Sequence, residues 1–166
     1  VDIRSLQAAI DPLVFPVQVE GHNEGISLVE LVPTFQDGRM VGIQVRKNGA
    51  LTDALPLDAV IGKEVTLHRS LVKVGFLRYR LDVIKVKTAV DFDAAHGGNI
   101  EIIYLKKGSM AGLDYKRVSV RFVRQENGEW QVINPLTGMK IEKMVVVGYR
   151  KATSGGIRDL RFEETR

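Results

Sequence analysis

Between Leu77 and Phe92 the apolar residues change phase. Leu77, Tyr79, Leu81 and Val83 occupy odd positions, whereas Ile84, Val86, Val90 and Phe92 occupy even ones. Strand side chains alternate faces with a period of two, so this switch predicts an extra residue in the ladder or a corner. It points to one long strand that bends near Val83 and Ile84, as strands do in barrels and strongly coiled sheets. A single-residue bulge there carries Arg78, Arg80, Lys85 and Lys87 onto one face beside Asp82. That row is the sequence's candidate ligand-binding surface, suited to an anionic or lipid-like ligand.

The rest of the chain also reads as strands. Val17 and Val19 alternate with polar residues, as do Val41, Ile43 and Val45, and again Val118, Val120 and Phe122. Asp37-Gly38, Asn48-Gly49 and Asn127-Gly128 each follow an apolar run, and such dipeptides favour tight hairpin turns, the last expected as type I′. Pro33 predicts an edge position or a bulge within 26–35. Residues 100–105 are apolar at both parities and are expected to be buried on both faces. The clear helical spacing is Ile3, Leu6, Ile10 and Leu13, with Asp2 as a cap and Pro12 as a stop. The expected fold is mainly β, with one N-terminal helix packed on a strongly bent antiparallel sheet, a barrel or half-barrel. One domain is expected over residues 1–150, with an alternative subdomain boundary near 48–62. Residues 151–166 read as a charged C-terminal tail, mobile or extended.

At 166 residues and 45% hydrophobic content, such a chain can bury a full core without covalent staples. No apolar run reaches the roughly 18 residues of a membrane helix. The chain has no cysteine, which excludes disulfides, zinc–thiolate sites and thiol nucleophiles. A cysteine-free, strand-rich chain that begins at Val1 fits a periplasmic or cell-surface domain, with the cytoplasm as the alternative. The net charge of +4 is spread along the sequence, which reads as a solvated surface. Nucleic acid is disfavoured, because the basic row lacks interleaved aromatic platforms and Tyr79 falls on the apolar side.

One segment has the residue types of a metal site. Asp91 and Asp93 stand two apart at a strand end, and His96 follows on a glycine loop, a donor set that a first-row metal accepts. The competing reading is turn chemistry, which favours the same residues. His22 and His68 are isolated, and nucleophile-elbow, phosphate-loop and dinucleotide motifs are absent. No catalytic residue and no cofactor are therefore expected. Trp130, the single tryptophan, reads as a core plug after a hairpin turn.

Val32-Pro33-Thr34-Phe35 followed by Asp37-Gly38-Arg39-Met40-Val41-Gly42 resembles the opening hairpin of PDZ-type domains of bacterial secretion machinery. The resemblance covers that hairpin alone. The Gly-Leu-x-x-Gly-Asp segment of those domains is absent, since Leu55-Pro56-Leu57-Asp58-Ala59-Val60 stands here, and no functional residue carries over.

Three functions follow as expectations. The first is a non-catalytic, extracytoplasmic binding or assembly domain that contacts a partner through a sheet face or edge. The second is a carrier of an apolar or lipid-like ligand inside a curved sheet. The third is a metal-dependent enzyme site at Asp91, Asp93 and His96.

Overall fold

Two of the turn dipeptides fold as their chemistry dictates. Asp37 and Gly38 both take positive φ, 52° and 76°, and so do Asn48 and Gly49, at 53° and 80°. Paired left-handed residues twist a two-residue loop to match the strands it joins. At Glu126-Asn127-Gly128 only Gly128 is left-handed, with φ 89°. The Asn127 side chain accepts the Glu129 amide at 3.0 Å, and Gly128 N donates to Gln125 O at 2.9 Å. The expected type I′ turn is therefore a longer loop closed by a glycine, because the asparagine uses its side chain to hold the next amide.

The computed structural model describes residues 13–21, 25–108, 113–148 and 156–166. The expected helix over Ile3, Leu6 and Ile10 lies outside them. The strands are β1 (Phe15–Gly21), β2 (Gly25–Gln36), β3 (Arg39–Lys47), β4 (Ala50–Leu51), β5 (Leu55–Pro56), β6 (Glu64–Gly75), β7 (Arg78–Thr88), β8 (Gly97–Gly108), β9 (Leu113–Arg124), β10 (Trp130–Ile133), β11 (Lys140–Gly148) and β12 (Ile157–Thr165). One helical turn, α1 (Leu57–Val60), lies between β5 and β6. The fold is mainly β, as expected.

The strands form one mixed sheet in the order β4-β3-β2-β1-β11-β10-β9-β8-β7-β6, with β12 on β11 and β5 on β3. The sheet, expected as antiparallel, is antiparallel at every strand pair but one among the described residues: β1 runs parallel to β11 from Val17↔Met144 to Glu20↔Val147. This long-range pairing leaves no local trace in sequence. β10 meets β11 through the single pair Ile133↔Lys140, and the sheet folds over there. One half, β4-β3-β2-β1-β11-β12, thus packs on the other, β6 to β10. Phe15 meets Phe122 edge-on at 6.4 Å and Phe35 lies 5.3 Å from Trp130. Trp130 Nε1 donates to Gly38 O at 2.9 Å, tying the β2–β3 turn to the opposite half.

The sheet is bent but not closed, since β6 and β4 end the path. At one end of the remaining seam α1 inserts Leu57 and Val60 into the core. Gly62 N donates to Thr88 O at 2.6 Å beside it. Residues near 48–62, read as a boundary, therefore contribute side chains to the common core. The segment read as a mobile or extended tail contains β12, which pairs with β11 along nearly its whole length. Ile157 is buried, and Leu160 and Phe162 pack against the core.

The phase switch has a different cause from the one expected. β7 pairs with β8 without interruption from Arg80↔Gly108 to Thr88↔Ile100. Its even positions face the core throughout, with Arg80, Asp82, Ile84, Val86 and Thr88 all buried. The parity of the apolar residues changes because the inward face carries a charge pair at Arg80 and Asp82. The extra residue sits in the neighbouring strand, where Thr66 pairs with Lys85 and His68 with Ile84, leaving Leu67 as the bulge.

Candidate functional site

The expected row of four cations does not form. Arg80 points inward and is 4% exposed. Its Nε donates to Asp82 Oδ1 at 2.8 Å and its Nη2 to Asp82 Oδ2 at 2.7 Å. Arg78 has the same parity but stands exposed at the strand's start. Lys85 and Lys87 have the opposite parity, and Lys85 lies 3.6 Å from Glu64. Without a bulge in β7 the two lysines cannot join the two arginines.

The proposed metal donors also fail to converge. Asp93 Oδ1 accepts the Ala95 amide at 2.8 Å, and its Oδ2 meets His96 Nδ1. Asp93 N and Gly97 N exchange hydrogen bonds with each other's carbonyls, so the segment is a side-chain-capped turn. The hydrogen bond from His96, then that from Ala95, holds the Asp93 carboxyl below its ordinary range. Asp91 is exposed and outside this turn. Among the described residues no three histidine, aspartate or glutamate side chains are grouped to hold a metal ion. Asp93 serves this turn and Asp91 stands in the preceding one, where two extended positions would have been needed to align them.

What the sequence reading missed lies on the outer face of β6–β9. Register places Leu71, Leu81, Lys107 and Leu113 in one row across four strands. The next row holds Arg69, Val83, Leu105 and Tyr115, and Lys73 stands opposite Tyr79. At the end of this face Phe76 and Leu77 form the turn between β6 and β7. They are 84% and 74% exposed, and Leu71 is 68% exposed. Leu77 also takes φ 53°, a left-handed conformation that costs a leucine about 1–2 kcal/mol and that glycine or asparagine would adopt more readily. Two large apolar side chains at a solvent-facing tip, one of them strained, break the local rules of a hairpin without serving the core.

Charge is arranged unevenly over the same face. Far from the tip, Glu64 and Glu101 bind Arg117 at 3.3 and 2.7 Å. Toward the tip, Lys73, Lys107 and, one row further on, Arg69 carry no ion pair among the described residues, and neither does Arg78, which stands exposed beside the turn; no acidic side chain shares their rows. The result is an apolar tip and ridge flanked by cations without ion pairs. Its sequence signal was present as Phe76-Leu77 between Gly75 and Arg78, a turn without turn-forming residues.

No family model, curated protein or solved structure matches this chain.

Proposed function

We propose that this chain is a non-catalytic binding domain that seats the β6–β7 tip and the adjoining outer face on an anionic lipid surface. The observation that carries the reading is the exposed, adjacent pair Phe76 and Leu77, with Arg78 beside the turn and Lys73, Lys107 and Arg69 in the rows behind it. A protruding apolar pair suits a fluid interface, which needs no preformed pocket to receive it. Burying a phenylalanine and a leucine contributes about 1.5–3 kcal/mol each. Each cation near an anionic leaflet adds about 1 kcal/mol. Set against the cost of association, this sum supports reversible, salt-sensitive attachment at the surface. A domain outside the cytoplasm, as the missing cysteines suggest, would meet such a surface on its outer side.

Co-sedimentation with vesicles tests the reading. Binding is expected to phosphatidylcholine vesicles carrying about 30% phosphatidylglycerol, with much weaker binding to phosphatidylcholine alone and loss near 0.5 M salt. Phe76→Ser with Leu77→Asn should weaken it about tenfold or more. Equal binding by that double variant would overturn the assignment of the tip. Absence of binding to anionic vesicles would overturn the lipid surface and favour a protein partner on the same face.

A further inference from the structure

At the open end of the seam the two halves of the sheet enclose a cavity of about 180 Å³. Its apolar wall is built by Val19 and Val29 from one half and Val72 and Ile84 from the other. Cross-strand register places Ser70 beside Asp82 and Val72 beside Arg80 on that second wall. The Arg80–Asp82 pair lies along it, and Tyr104 and His68 complete it. Lys47, at the end of β3, reaches the cavity from the opposite half and is half-buried.

The charges are unequal. Asp82 is engaged twice by Arg80, and the buried Lys106 stands opposite Asp82 across the ladder. Lys47 has no hydrogen bond or ion pair through its side chain among the described residues. His68 supplies neither an anion, which an imidazole never is near neutral pH, nor a competing cation. Burial first, and then the Lys47 charge, hold its pKa below the ordinary value and favour the neutral ring. A half-buried lysine that lines an apolar-walled cavity and has no ion pair lacks one partner, a negative charge.

We infer that this cavity binds a small monocarboxylate whose apolar body enters between the valines while its carboxylate meets Lys47. Size sets the class. A cavity of about 150 Å³ holds one benzene ring, so 180 Å³ admits a single ring or a short branched chain and excludes a long acyl chain. This narrows the expectation of a lipid-like ligand inside the sheet to a much smaller molecule. The site is separate from the outer face and does not depend on the lipid reading.

The test uses benzoate as probe, with benzamide as its uncharged counterpart, titrated into the isotope-labelled chain by NMR. Benzoate is expected to half-saturate the site at about 1 mM or below and to shift resonances of Val29, Lys47, His68 and Val72. Benzamide should bind about tenfold more weakly or worse. Lys47→Met, which keeps the alkyl stem at a half-exposed position, should weaken benzoate by about tenfold while leaving the amide spectrum folded. Val72→Phe, which fills the cavity, should abolish binding with every charge in place. No saturable shift at about 20 mM benzoate, some twentyfold above the expected half-saturation, would overturn the inference. So would equal binding of benzamide, or undiminished binding by Lys47→Met.

Discussion

Removing the Asp82 carboxylate should be among the most damaging single changes available in this fold. Arg80 and Asp82 are 4% and 6% exposed and joined by two short charge-assisted hydrogen bonds. Lys106, 3% exposed, faces Asp82 from β8. Asp82→Ala strips both bonds from the guanidinium and leaves two buried cations on adjacent strands without the carboxylate they neighbour. Breaking a buried pair from one side typically costs about 3–5 kcal/mol, about a fifth or more of a domain's usual stability of about 5–15 kcal/mol. The double change Arg80→Leu with Asp82→Val restores apolar alternation along the inner face of β7 and removes the stranded guanidinium. It should recover about half or more of the loss in Asp82→Ala, because replacing a buried pair by packed apolar groups is often neutral or stabilising, while Lys106 still lacks the carboxylate opposite it. Urea unfolding followed by Trp130 fluorescence measures both, with similar slopes expected for parent and variants. A cost below about 1 kcal/mol for Asp82→Ala is the signature of a surface pair. It would mean that β7 does bulge near Val83 and that Arg80 faces solvent with Lys85 and Lys87.

Two further outcomes follow from the same geometry. His68 has a pKa lowered from 6.5 by burial and by Lys47, so the unfolded chain binds its proton more readily than the folded one. Its contribution to stability is full above pH 6.5 and is lost as pH falls from there through the lowered folded value. Thermal melts should show the parent losing stability in that window, with a shallower loss in His68→Gln; an identical pH profile would contradict the buried placement. Gly97 has φ 106°, and a Cβ there would stand 1.9 Å from Phe122 O. Gly97→Ala should therefore cost more than about 3 kcal/mol in urea unfolding, and a cost under about 1 kcal/mol would refute the β8–β9 register at Gly97↔Val123.

Much of the fold was legible because its signals are local. Period-two alternation marks β1, β3 and β9, and Asp37-Gly38 and Asn48-Gly49 close their turns with the backbone that those residues favour. The legibility failed where a local pattern had two physical causes. A parity switch reads the same whether the chain gains a residue or the buried face exchanges apolar groups for an ion pair, and only the pairing of β7 with β8 separates them. β12 was hidden by its charges, although Leu160, Phe162 and Glu164 keep a period of two along one side. The parallel β1–β11 pair joins residues far apart in sequence. Leu77 reads as the start of a strand because Phe76-Leu77 carries strand residues in place of turn residues. That mismatch, which obscures the hairpin in sequence, is the feature on which the proposed function rests.

The lipid-surface reading stands most directly on where the tip goes when vesicles are present. Phe76→Trp places an indole at a position 84% exposed, while Trp130 stays 6% exposed in the core. With anionic vesicles containing brominated lipid, the added indole's emission should shift to the blue and be quenched, most strongly by bromines about 5–10 Å below the headgroups. High salt should reverse both effects. An emission that stays red-shifted and unquenched while the protein sediments with the vesicles would show attachment without insertion, and would contradict the role given to Phe76 and Leu77.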